Sequence, residues 1–120
     1  MKLLLDTHAF LWWVNAPELL SQLAADAIAS AGPKSVHVSA VTAYEISLKH
    51  RLGKLPDGED VLNRFHQILG VEYFETLDLA VEDGIRAGQL PMLHRDPFDR
   101  LLIAQAMLTE AWLVSNEQLF

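Results

Sequence analysis

The stretch MKLLLDTHAFLWWV, residues 1–14, decides how the fold is read. Lys2 to Leu5 is a short apolar run that stops at Asp6. An apolar run without alternation reads as a strand buried on both faces, here with a polar residue at its carboxyl end. Phe10 to Val14 then continues apolar as the first turns of a helix, and Pro17 interrupts it or starts the next element. A buried strand that feeds directly into a helix opens an alternating α/β chain.

The rest of the chain repeats that alternation. Ser21 to Ala31 is alanine-rich, with Leu23, Ala24, Ala27 and Ile28 at helical spacing, and Gly32-Pro33 ends it. Val36 to Val38 predicts a second strand, and Ser39 can cap a helix carrying Val41, Tyr44, Glu45, Leu48 and Lys49. Gly53 and Pro56 to Gly58 break that helix. Glu59 to Leu69 predicts an amphipathic helix closed by Gly70. Val71 to Leu77 predicts a third strand centred on Tyr73 and Phe74, and Leu79 to Gln89 a helix. Leu93 to Asp96 reads as a polar loop, Asp99 to Leu108 as a helix, and Ala111 to Val114 as a last strand ending at Ser115. The expected architecture is α/β: a small, mainly parallel sheet with helices on both faces, forming one domain over residues 1–120.

Composition sets the outer limits. Of 120 residues, 51% are hydrophobic and 21% charged, which suits a folded domain. The slight apolar excess hints that a partner covers part of the surface. The absence of cysteine excludes disulfides, thiolate zinc sites and cysteine nucleophiles, and makes the cytoplasm the expected compartment. Asp6 and His8 interrupt the N-terminal apolar run, so it does not read as a signal peptide, and no stretch is long enough to cross a membrane. The net charge of -7 counts against a general nucleic-acid binder, whose affinity would come from phosphate neutralisation. It is compatible with a nuclease that gathers acids around cations, which invert the local field.

Sites in such sheets form beyond the carboxyl ends of the strands. Asp6 lies at one such end and Glu117 follows another, while Glu45 and Asp99 lie early in helices that leave the sheet. These four acids can meet at one edge. Each has an alternative role. Asp6 can cap the helix that follows. Glu45 can pair with Lys49 across one helical turn on a solvated face. Asp96 fits a helix N-cap followed by Pro97, with Asp99 third in that helix, so both acids gain from its dipole. Glu117 can be an ordinary surface acid. Ser115 can orient a carboxylate or water, or cap a turn. Two hard divalent cations would be well served by these oxygens, one activating water and the other stabilising the leaving oxygen. His8, His37, His50, His66 and His94 lack zinc-like spacing. Lys49, His50, Arg51 and Lys54 cluster after Glu45, and Arg95 and Arg100 flank Asp96 and Asp99; they suit phosphate contacts, or simple charge balance in an acidic chain.

Four segments together resemble the PIN-domain family: LLLDTHAFLWW, VSAVTAYEISLKHRLGKL, HRDPFDRLLIAQA and LVSNEQLF. In order and at these separations they are similar to a VapC-like toxin branch. The resemblance implies a three-layer α/β/α sandwich and Mg²⁺- or Mn²⁺-dependent hydrolysis of RNA. Its metal-ligand positions match Asp6, Glu45 and Asp99, with Asp96 as a companion. Its fourth acid usually follows a Thr-x pair and is an Asp; here the segment is Ser115-Asn116-Glu117. Relatives usually continue some residues past the position of Phe120, so a somewhat longer chain is expected. The family also implies a cognate antitoxin that blocks the site, and many members form homodimers, for which Phe10, Trp12 and Trp13 are candidate contacts.

Other readings fit less well. A haloacid-dehalogenase-like enzyme wants Asp-x-Asp after the first strand, where this chain has Asp6-Thr7-His8. A receiver domain wants paired acids and a later lysine, and a dinucleotide-binding domain wants a glycine-rich loop. Two alternatives share the expected fold: a binding module without hydrolysis, and a nuclease acting on DNA or on a particular nucleic-acid structure.

Overall fold

In the computed structural model, residues 1–91 and 96–115 are described. The first strand, β1 (Leu3–Leu5), is buried along its whole length. Successive side chains of a strand point to opposite faces, so Leu3 and Leu5 serve one side of the sheet and Leu4 the other. That division organises the molecule. Leu3 and Leu5 join Val36, Val38 and Val114 in one core, whereas Leu4 joins Leu113, Val41, Leu102 and Ala106 in a second.

The first core is covered by α1 (Thr7–Asn15), α2 (Gln22–Ser30), α4 (Gly58–Asn63) and α5 (Phe65–Glu72), with a 3₁₀ turn at Pro17–Leu19. Phe10, Ile28, Val61 and Leu69 are buried members of this layer. The second core is covered by α7 (Pro97–Thr109), against which α6 (Val81–Gln89) packs. Helix α3 (Ala40–Arg51) sends Val41 into the second core and Ile46 into the first. The α/β/α sandwich expected from the alternating pattern is present.

Strands β2 (Val36–Ser39), β3 (Glu75–Leu77) and β4 (Trp112–Val114) complete a sheet of order β3-β2-β1-β4, with every pairing parallel. Leu5 is level with Val38 on one side and Val114 on the other. The chain runs from β1 outward through β2 to β3, then returns through α6 and α7 to β4 on the opposite flank of β1. The reversal makes the carboxyl ends of β1 and β4 the topological switch point, where such sheets open a crevice. Asp6 stands there, and its backbone N–H donates to the Val114 carbonyl at 2.9 Å.

Two predicted elements differ. The Glu59 to Leu69 helix is two helices that meet at Arg64, although Arg64 N–H still donates to Asp60 O and Ile68 N–H to Arg64 O. The predicted strand over Val71 to Leu77 is correct only in its last three residues. Helix α5 runs through Gly70 to Glu72, and Tyr73 takes a left-handed conformation, φ 58°. The Phe74 N–H then donates to Leu69 O at 2.9 Å, closing the helix before the chain enters β3. The alternating apolar side chains of Val71 and Tyr73 imitate a strand, yet both are largely solvent-exposed. The Leu93–Asp96 loop falls outside the described residues except for Asp96.

Candidate active site

Asp6 is the residue at which β1 becomes α1. Its Oδ1 accepts the Ala9 N–H at 2.7 Å, so the carboxylate caps the helix as the alternative reading allowed. Capping uses one oxygen only. The side chain is half-buried, and burial pushes its pKa above the ordinary 3.8. The Ala9 bond and the His8 charge oppose that rise, while the negative charges of Asp99 and Glu45 add to it. Glu45 and Asp99 thus each lie within electrostatic reach of Asp6. The three acids come from distant segments, and at Asp6 burial is the main cause of the rise, with the like charges a smaller addition.

Glu45 does not lie on the solvated face that its pairing with Lys49 would suggest. It is buried on the second turn of α3, and both its oxygens are engaged. Oε1 accepts the Thr7 hydroxyl at 2.6 Å, and Oε2 accepts from Lys49 Nζ at 2.6 Å. Thr7 is itself buried, and its hydroxyl lies 3.3 Å from that of Thr42, which is on α3 one turn before Glu45. Thr7 therefore clamps the start of α1 to α3. Sequence reading missed it, and its one available signal was a hydroxyl beside Asp6.

Asp99 is half-buried in the first turn of α7, and its N–H donates to Asp96 Oδ1 at 2.8 Å. Asp96 is exposed and caps the helix, which fixes where Asp99 begins. The rings of Tyr44 on α3 and Phe98 on α7 are 5.7 Å apart, tying the Glu45 helix to the Asp99 helix. A second tie is Gln105, fully buried on α7. It accepts from Ser39 Oγ at the end of β2, and its amide donates to Asp78 O just after β3. Ser39 Oγ also caps α3 through the Val41 N–H. Gln105 was another omission of the sequence reading.

The basic residues divide. Lys49 holds Glu45, while Arg51 and Lys54 are exposed at and beyond the end of α3. Arg100, expected beside phosphates, donates to the carbonyls of Ala87 and Leu90 at 2.6 and 2.8 Å and so ties the end of α6 to α7. Ser115 is half-buried one residue past Val114, at the same sheet edge as Asp6. Glu117 and Arg95 lie outside the described residues.

Among the described residues no three His, Asp or Glu side chains stand in an arrangement that could hold a metal ion as they are. The donor chemistry nevertheless suits a hard divalent cation: all-oxygen, anionic, partly buried and charge-strained at Asp6. Glu45 already carries a cation on Oε2, the Lys49 ammonium. Asp6, Glu45 and Asp99 therefore suit Mg²⁺ or Mn²⁺ in donor chemistry. No helix among the described residues is long and apolar enough to cross a membrane.

Residues 3–120 match the family model of the PIN domain. No curated protein matches the sequence significantly. Three solved structures are similar in fold. A toxin–antitoxin complex from Klebsiella pneumoniae aligns with TM-score 0.65 at 17% identity, covering 93% of this chain and 83% of that one. VapBC2 from Rickettsia felis, bound to a DNA fragment from its promoter, aligns with TM-score 0.65 at 15% identity over 94% and 85%. VapC20 from Mycobacterium tuberculosis, a toxin that cleaves the sarcin-ricin loop, aligns with TM-score 0.60 at 13% identity over 92% and 85%.

Proposed function

Because the chain belongs to the PIN domain family, we propose that it is a metal-dependent endoribonuclease and the toxin of a toxin–antitoxin pair. What supports this reading is that Glu45 and Asp99, from two distant helices, both act electrostatically on Asp6, which stands at the switch point of the sheet. Asp6, Glu45 and Asp99 would hold Mg²⁺ or Mn²⁺, with Glu117 as a fourth acid and Asp96 as a companion. When bound, the ion would activate water and offset charge on the leaving oxygen of the phosphodiester.

The remaining work belongs to the protein's own groups. Capping by the Ala9 N–H holds Asp6 at the end of β1 with one oxygen turned to the cap. Thr7 holds Glu45 through Oε1, and Asp96 caps the first turn of α7, which carries Asp99. Lys49, Arg51, Lys54 and Arg95 would meet the RNA backbone beside the acids, and Ser115 would orient a ligand or water. Arg100 would contribute through the α6–α7 tie. With a net charge of -7, affinity for RNA in general is weak, so binding depends on this local cationic patch and on the ions.

The toxin role is supported by the fold likeness to the Klebsiella and Rickettsia toxin–antitoxin proteins and to the Mycobacterium toxin. Two of these neighbours are toxin–antitoxin assemblies, which supports a cognate antitoxin; its covering the site, a cytoplasmic setting and a homodimer are further parts of the proposal. The test is cleavage of a mixed cellular RNA pool by purified protein in Mg²⁺, Mn²⁺ or EDTA, with single-stranded DNA alongside. Metal-dependent cutting of RNA, lost in folded Asp6→Asn and Asp99→Asn, is the expected result. Cutting of DNA instead would turn the reading to a DNA nuclease. Absence of both cutting and metal binding would turn it to a binding module.

A further inference from the structure

Lys49 sits one turn beyond Glu45 on α3, with its Nζ 2.6 Å from Oε2. The Glu45 side chain is 7% exposed and that of Lys49 35%. The carboxylate is therefore enclosed, while the ammonium has a way out to water along a flexible stem. The other oxygen is held by Thr7 at 2.6 Å. A buried carboxylate needs compensation, and a lysine at hydrogen-bond distance supplies one positive charge and three donors. A divalent ion taking Oε2 would meet that ammonium as a like charge at close range, so the two compete for the oxygen.

Resting on the metal-site reading above, we propose that Lys49 occupies the cation position on Glu45 in the metal-free protein and is exchanged for the divalent ion. Lys49 is thus an internal competitor that holds Glu45 in place and sets how much metal is needed to fill the site. Exchange turns the ammonium outward, to the end of α3 where Arg51 and Lys54 are exposed. The competing account is a purely structural ion pair that stays closed when metal binds.

The test measures binding, not turnover. Mn²⁺ affinity of metal-free protein is determined by calorimetry and electron paramagnetic resonance for wild type, Lys49→Gln and Asp6→Asn. Lys49→Gln removes the competitor and is expected to bind Mn²⁺ tighter by about twofold to fivefold, the scale of such an ion pair. Affinity equal to or weaker than wild type would overturn the proposal. A second readout needs no variant. In ¹⁵N-lysine-labelled wild type, the Lys49 ammonium resonance should move from a hydrogen-bonded to a solvent-exposed position as Mg²⁺ is added. A resonance unchanged at saturating Mg²⁺ would also overturn it. Binding by wild type that Asp6→Asn abolishes locates the counted ion at the cluster. Wild type and Lys49→Gln both failing to bind Mn²⁺ would sink the metal-site reading itself, a different failure from binding without exchange.

Discussion

The two edges of the sheet are built on opposite terms. At the amino edge, each of β2, β3 and β4 is entered from a turn that includes a non-glycine residue of positive φ: Lys34, Tyr73 and Glu110. At the carboxyl edge the strained groups are charges, with Asp6 held beside Glu45 and Asp99. Backbone strain at the first edge is offset locally. Glu110 ends α7 with the Ala111 N–H donating to Ala106 O at 2.9 Å, and Tyr73 ends α5 through the parallel Phe74 to Leu69 bond. Charge strain at the second edge is offset at Glu45 by Lys49, while at Asp6 the cap and the His8 charge leave a net upward shift. The lesson is that one edge stores its cost in making the fold and the other in holding the acids proposed to take a cation. Substitutions at the two edges should therefore separate stability from activity.

The largest separation is expected at Asp6 and Asp99. Asparagine at either position removes one negative charge, and at position 6 it still caps α1. RNA cleavage should fall by about 10³-fold or more, the scale of losing a metal-held transition-state contact. Thermal unfolding should show both variants folded, and Asp6→Asn more stable than wild type in EDTA. Asp6→Asn retaining full cleavage would break the comparison, since the charge strain would then serve nothing.

Thr7→Val comes next, because it acts on Glu45 without altering any carboxylate. It leaves Glu45 Oε1 buried without its donor, at a cost of about 1–3 kcal/mol. Groups that orient a metal ligand typically matter by about 10–100-fold, so cleavage should drop by that factor. The drop should appear as a higher Mg²⁺ requirement, read by titrating activity against the ion. A loss of stability with an unchanged Mg²⁺ requirement would make Thr7 a clamp of the fold alone.

The amino edge supplies the control. Glu110 is exposed and far from the acids in the sheet, and its left-handed φ of 57° is strained for any residue with a Cβ. Glu110→Gly should stabilise the protein by about 1 kcal/mol in denaturant unfolding and leave cleavage unchanged. Destabilisation instead would mean that the glutamate side chain contributes more than its backbone costs.

Legibility in the sequence followed the same division. The sheet could be read because buried parallel strands are apolar runs with a sharp polar end, as at Leu3-Leu4-Leu5-Asp6 and at Val114-Ser115. The acids could be proposed from the sequence because strand ends and early helical turns lie toward one edge in this topology. The turn at Tyr73 could not, since Val71 and Tyr73 carry strand-like side chains on a helix end and nothing local marks a left-handed tyrosine. Burial of Glu45 was also hidden: apolar and polar residues mix around α3, so no face is marked as inward. Thr7 and Gln105 escaped for a related reason. Their roles lie in hydrogen bonds to Glu45 and to Ser39, 38 and 66 residues away. A pattern of neighbours does not encode such distances.

The smallest effect, and the one that tests the charge argument most directly, is the pH dependence of the metal-free fold. Burial holds the Asp6 pKa above its ordinary 3.8, with Asp99 and Glu45 adding to the rise. A carboxyl group whose folded pKa is raised binds its proton more tightly in the folded state. It therefore adds stability that is fully present below 3.8 and is lost as pH rises through the raised folded value. Asp60 acts in the opposite sense, since its bond to Arg64 lowers its pKa, so the whole-protein curve mixes signs. The difference between wild type and Asp6→Asn cancels Asp60 and isolates the site. Measured in EDTA, the asparagine variant's advantage should be small in acid and grow toward neutral pH. Saturating Mg²⁺ should reverse it, because the cation stabilises the ionised Asp6 that the variant lacks. An advantage independent of pH would place the strain at Asp6 in its packing rather than in its charge, and would leave the carboxyl edge no different in kind from the amino edge.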